Sequence, residues 1–118
     1  MSTHATAVKQ NMTWIDICAI DDVVLNTGAA ARVDKSQVAI FHTRQGWYAI
    51  DNHDPFSNAN VIARGIVGDI KGQLVVASPV YKQHFCLKTG RCLEDETVTL
   101  AAYPIKIANG RVQIAIER

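Results

Sequence analysis

The residues best suited to chemistry fall in two stretches of the chain: His53, Asp54 and Ser57 in the first, and Ser78, His84, Cys86 and Cys92 in the second. His, Asp and Cys ligate metals, and a hydroxyl or thiol beside a histidine is the start of a nucleophilic site. The spacing argues against both. His84 and Cys86 are two positions apart, so a strand would put them on one face. Cys86 and Cys92, however, flank a turn and do not form the close Cys-x-x-Cys pair of structural zinc sites. Ser57, Ser78 and Cys86 have His53 and His84 nearby in sequence, but no nucleophile elbow surrounds them and no third, orienting group can be assigned. Gly65-Ile66-Val67-Gly68 lacks both the phosphate-loop lysine and the dinucleotide fingerprint; its glycines read as strand-turn residues. The expectation is histidines in loops, cysteines packed as small hydrophobes, no metal, and no catalytic residue in this chain.

The cysteines also bear on redox state. If their hairpin turns at Lys88-Thr89-Gly90, residues 87 and 91 pair and Cys86 faces Cys92. Opposed strand positions bring Cβ atoms to about 5 Å, so a disulfide is conceivable only with closer approach. The cysteine count of 3 is odd, and no secretion signal precedes the chain's first strand. Reduced thiols in a cytoplasmic, bacterial-type compartment are the preferred reading.

Positioning these groups falls to strands. Trp14-Ile15-Asp16-Ile17 alternates, and Asp21 to Val24 reads as a turn or a single helical turn. Ala29 to Val33 reads as a weak strand; Thr27 to Arg32 is Ala-rich and helix-like in composition, but Gly28 and the β-branched flanks favour a strand or loop. Gln37 to His42 is a strong strand, turning at Arg44-Gln45-Gly46 into Trp47-Tyr48-Ala49-Ile50. Residues 51–60 form a proline-containing loop. Gly65–Ile70 and Gln73–Ala77 are short strands around Lys71-Gly72, and a second proline loop starts at Ser78. Gln83 to Leu93 reads as a hairpin. Ile105–Ile107 and Val112–Ile116 flank Asn109-Gly110, a strong hairpin signal. Short strands with regular turns predict an all-β antiparallel sandwich or barrel.

The composition agrees with one such domain. The chain has 118 residues, 48% of them hydrophobic, and a net charge of +1, which supports a real core. No run of like charge gives a nucleic-acid footprint, and no apolar stretch is long enough to cross a membrane as a helix. Residues 1–11 read as a flexible polar tail, leaving 12–118 as the single domain.

The two proline segments carry a resemblance. Asp54-Pro55-Phe56 and Ser78-Pro79-Val80-Tyr81-Lys82 resemble the two ligand loops of the Rieske iron–sulfur domain, which read Cys-Pro-His and Cys-Pro-x-His-Gly. The four ligand positions here hold Asp54, Phe56, Ser78 and Tyr81. Phe has no lone pair to give, and Ser and Tyr are poor substitutes for thiolate and imidazole. Trp47 to Asn52, Phe85 to Cys92, and Tyr103-Pro104-Ile105 with Asn109 to Val112 match the scaffold of that family. Together with Arg64 to Gly68 and Ser78 to Phe85, the segments are similar to the small subunit of NADH-dependent assimilatory nitrite reductase.

That resemblance implies a Rieske-like fold without its own cluster. It implies a large-subunit partner carrying FAD, siroheme and a [4Fe–4S] cluster, and reduction of nitrite to ammonium with NADH. The expected role is non-catalytic: docking to, or stabilising, the large subunit. Loops on a rigid sheet are natural contact elements, so the expected contact residues are His53, Asp54, Pro55, Phe56, Pro79, Tyr81, Lys82 and His84. Asp54, Phe56 and Tyr81 are further expected to fill and tie the former cluster position. Two other readings are a stand-alone binding or regulatory module and a Rieske-type electron carrier; the ligand set argues against the carrier.

Overall fold

The computed structural model describes residues 11–117. In chain order the strands are β1 (Met12–Ala19), β2 (Thr27–Val33), β3 (Ser36–Thr43), β4 (Gly46–Asp51), β5 (His53–Asp54), β6 (Ala59–Asn60), β7 (Ile66–Ile70), β8 (Gln73–Ala77), β9 (His84–Cys86), β10 (Ile105–Ala108) and β11 (Arg111–Glu117). Short 3-10 turns occupy Ile20–Asp22 and Ile62–Arg64. Three antiparallel sheets run β1-β11-β10, β2-β3-β4 and β7-β8-β9, and β5 pairs with β6 in a minimal hairpin. The expected tail lies outside the described residues apart from Asn11.

The centre of the fold follows from side-chain alternation. A strand's successive side chains point to opposite faces, so a strand apolar at every position must be covered twice. Val38, Ile40, Trp47 and Ala49 enter one core with Val112, Ile114 and Ile105. Their neighbours Ala39, Phe41, Tyr48 and Ile50 enter a second core with Val76, Phe85, Leu87 and Ile62. The β3–β4 hairpin is thus the shared wall between the β1-β11-β10 sheet and the β7-β8-β9 sheet. Burying each of the larger aliphatic and Phe side chains contributes about 1.5–3 kcal/mol, so both neighbouring sheets are anchored to this hairpin.

The turns follow residue chemistry. Lys71-Gly72 and Asn109-Gly110 take positive φ at both positions, 52° and 83° and then 52° and 75°, as two-residue hairpin turns require. The Ala-rich segment is a strand, paired with β3 from Thr27↔His42 to Val33↔Ser36. The Asp51 end of β4 is tied down by residues 101–103. The Tyr103 hydroxyl donates to Asp51 Oδ1 at 2.6 Å and the Ala101 N–H to Oδ2 at 3.1 Å. Burial, together with the Asp51 carboxylate, pushes the Tyr103 hydroxyl well above its ordinary pKa.

Two expectations need correction. The hairpin after β9 uses a four-residue turn, Leu87 to Gly90, closed by the Gly90 N–H on the Cys86 carbonyl at 2.7 Å. Phe85 therefore opposes Cys92, and Cys86 bonds its backbone N–H to the Arg91 carbonyl at 2.8 Å. One residue of offset in a ladder of period two sends the cysteines to opposite faces, so they do not face each other; all three cysteines are free thiols. Gly90 is required here: its φ is +80°, and a Cβ would run into the Leu100 carbonyl. Gly65, expected at a strand turn, instead marks a close approach, because a Cβ there would meet the Ala77 carbonyl.

Candidate functional site

The first proline loop is positioned by Asn52, which is 2% exposed. Its amide nitrogen donates to Gln37 Oε1 at 3.0 Å and to the Asn60 carbonyl at 3.3 Å, and its Oδ1 accepts the Ala63 N–H at 2.7 Å. One side chain thus joins β3, β6 and the 3-10 turn that follows. Pairing of His53 with Asn60 and Asp54 with Ala59 then closes the loop on itself.

The two loops have the same local construction. In the first, the Asn58 N–H bonds back to the Asp54 carbonyl at 2.8 Å; in the second, the Lys82 N–H bonds back to the Ser78 carbonyl at 3.1 Å. Each has proline second and a left-handed residue fifth, Asn58 at φ 56° and Lys82 at φ 64°. Proline presets the turn. Asn tolerates the left-handed region, whereas Lys82 stands there at a cost. Its Nζ donates to the Pro79 carbonyl at 3.1 Å, and the Ser78 N–H bonds the Gln83 carbonyl at 2.9 Å; these bonds hold the second loop in shape.

The loops meet through Asp54 and Ser78, both fully buried. The Ser78 hydroxyl donates to Asp54 Oδ2. Asp54 Oδ1 accepts the Phe56 N–H at 2.9 Å and the Ser57 N–H at 3.4 Å. Burial raises the Asp54 pKa, but the Ser78 hydroxyl and these backbone donors outweigh it and hold the carboxyl below its ordinary value. The group is a buried carboxylate whose charge is met by donors from both loops.

The other two matched positions behave differently. Phe56 is half-buried, its ring 6.3 Å from that of Phe85 and tilted by 46°. Tyr81, expected to help fill the junction, is instead 61% exposed. The remaining expected contact residues divide similarly. Asp54 is inaccessible, while His53, Pro55 and Lys82 are exposed and Pro79 is partly so. His84 turns sideways, with Nδ1 and its backbone N–H each 2.7 Å from the Glu94 carboxylate. Burial pushes the Glu94 pKa up, but these His84 contacts lower it overall.

Three residues of the site were not singled out by spacing: Asn52, Ile66 and Val80. Ile66, 75% exposed, pairs with Ala77 at the foot of the second loop, and Val80 is exposed within it. With Tyr81 they place three exposed apolar side chains in the second loop and at its foot. An alternating strand with an exposed isoleucine gives only a faint signal, because its position at the loop depends on the β7–β8 register.

The geometry defines a Rieske-like domain, and the family model for the Rieske-like [2Fe-2S] domain matches residues 13–115. The nitrite reductase (NADH) small subunit of Escherichia coli strain K12 is 43% identical over 104 residues, covering 86% of this chain and 95% of that one. The solution structure of the nitrite reductase [NAD(P)H] small subunit from Erwinia carotovora is 46% identical, with a TM-score of 0.76, covering 89% of this chain and 82% of that one. A nitrite reductase [NAD(P)H] large subunit of Klebsiella oxytoca is 39% identical over 101 residues, 86% of this chain but 11% of that one. The chain belongs to the family of NADH-dependent nitrite reductase small subunits.

The residues present do not fit a [2Fe-2S] cluster. Asp54 Oδ2 is taken by the Ser78 hydroxyl and Oδ1 by the Phe56 and Ser57 N–H groups, Phe56 offers no donor atom, and Tyr81 is exposed. Among the described residues no group of three or more His, Cys, Asp and Glu is arranged to hold a metal ion. No helix among them is long and apolar enough to cross a membrane.

Proposed function

We propose that this subunit of nitrite reductase is non-catalytic, carries no cluster of its own, and docks to the large subunit through the end that bears the two proline loops. The observation that carries the docking reading is the grouping of Ile66, Val80 and Tyr81 in solvent around the second loop. Of the five exposed large hydrophobic side chains among the described residues, these three belong to the second loop and its foot, while Val24 and Leu25 lie before β2; clustered exposed apolar side chains serve recognition, and tyrosine is a frequent anchor of interfaces. The match to a segment of the Klebsiella large subunit supports the choice of partner, since there the corresponding segment lies within the larger chain. By family resemblance that partner carries FAD, siroheme and a [4Fe–4S] cluster, and the complex reduces nitrite to ammonium with NADH in the cytoplasm. Of the expected contacts, Pro55, Phe56, Pro79, Tyr81 and Lys82 stand at this end.

The test is binding of the purified chain to its large subunit, measured by calorimetry. Joint replacement Ile66→Ser and Tyr81→Ser is expected to weaken binding at least about tenfold, as loss of an interface anchor does. Unchanged affinity in a folded double variant would remove the contact from this end. The electron-carrier reading has its own check: purified protein with visible iron–sulfur absorption would restore it.

A further inference from the structure

A polar cleft of about 380 Å³ lies beside the first loop. Arg32, at the close of β2, and Lys35, in the β2–β3 turn, line one side. Both are exposed, and neither is joined to a carboxylate among the described residues. Gln37 contributes an amide whose oxygen is already taken by Asn52, which leaves its N–H groups as donors. His53 lines the other side, its Nδ1 3.1 Å from Asn60 Oδ1. The single carboxylate in the lining is Asp51, and both of its oxygens are engaged, by the Tyr103 hydroxyl and the Ala101 N–H. The cleft therefore offers two unpaired cations and several spare donors against one carboxylate already satisfied.

We propose that this cleft receives an acidic segment of the large subunit, as the electrostatic half of a two-part dock whose apolar half is Ile66, Val80 and Tyr81; the proposal rests on the docking reading above. His53 belongs both to the cleft and to the β5–β6 hairpin that carries the first loop, so the two contact regions adjoin. A free anion is the weaker candidate. Cations this exposed bind a lone carboxylate or phosphate with little net gain. Once the apolar end is docked, an acidic side chain on the same partner meets them at high effective concentration.

The experiment measures binding of the full chain to its large subunit over a range of salt concentrations. Joint replacement Arg32→Glu and Lys35→Glu is expected to weaken binding about tenfold at low salt, mainly through slower association, and to flatten the dependence of Kd on salt. Tyr81→Ser is expected to weaken binding at every salt concentration and leave the slope unchanged. If the charge-reversed chain keeps wild-type affinity and slope while Tyr81→Ser binds weakly, the cleft proposal is overturned and the docking reading stands. If neither variant differs from wild type, both are overturned. A saturable complex of the isolated chain with inorganic phosphate, centred on Arg32 and Lys35, would also overturn it by giving the cleft to a free anion.

Discussion

Asp54 and Ser78 stand at the positions that match the two cysteines of the cluster-binding loops, and Phe56 and Tyr81 at those that match the two histidines. The first pair is fully buried and hydrogen-bonded across the loops. In the second, Phe56 is half-buried against Phe85 and Tyr81 projects into solvent. The difference follows from what burial demands. Polar atoms inside a protein must be satisfied, so the inner positions need groups that answer each other. At the rim that demand lapses, and an aromatic side chain can serve packing or recognition. The inner pair holds the loops together; the outer pair shapes what they present.

The most damaging way to break this comparison is Asp54→Ala. It strips the acceptor from the Ser78 hydroxyl and from the Phe56 and Ser57 N–H groups at once. The expected loss is about 3 kcal/mol of folding stability, read as a lower urea midpoint at unchanged m. Loss below about 0.5 kcal/mol, within the range of an ordinary surface substitution, would show that the inner pair does not hold the loops.

A pH series sharpens the same point. The folded-state pKa of Asp54 is depressed, so its stabilisation is present above the unfolded value, about 4, and is lost as pH falls through the folded value. Wild type should exceed Asp54→Asn in stability at pH 7 and approach it below about pH 4. A gap that stays constant into acid would mean that the ionised carboxylate is not the stabilising species.

Next in size is Ser78→Ala. It removes one hydrogen bond to a charged group and leaves Asp54 its two backbone donors, for an expected cost of about 2 kcal/mol. Phe56→Ala should cost about 1.5 kcal/mol, less than a full core truncation because the ring is only half-buried against Phe85. Chemical denaturation ranks the three. If Phe56→Ala proved the most destabilising, aromatic packing and not the buried hydrogen bond would be what joins the loops.

Much of the scaffold was legible because its causes are local. Lys71-Gly72 and Asn109-Gly110 name their turns, and the unbroken apolar runs in β3 and β4 name strands covered on both faces. The site was legible in its residue types but not in its pairings. That Asp54 would accept from Ser78 depends on two loops 24 residues apart meeting. Asn52 matters through Gln37, 15 residues away. Tyr81 was expected inside because it matches a ligand position, and the cysteine register slipped because a four-residue turn replaced a three-residue one. Each miss lies where long-range contact or turn length, and not local propensity, decides the outcome.

The smallest expected effect on stability is the most telling. Tyr81 is 61% exposed and makes none of the loop-joining hydrogen bonds. Tyr81→Ser should therefore shift folding stability by no more than about 0.5 kcal/mol, while weakening binding to the large subunit. The Asp54 variants should do the reverse in kind: whatever binding they lose should track their loss of fold. Measuring both quantities on both variants separates the inner role from the outer one. Were Tyr81→Ser as destabilising as Ser78→Ala, the outer position would belong to the scaffold after all, and the exposed end of the second loop would lose its claim as a recognition surface.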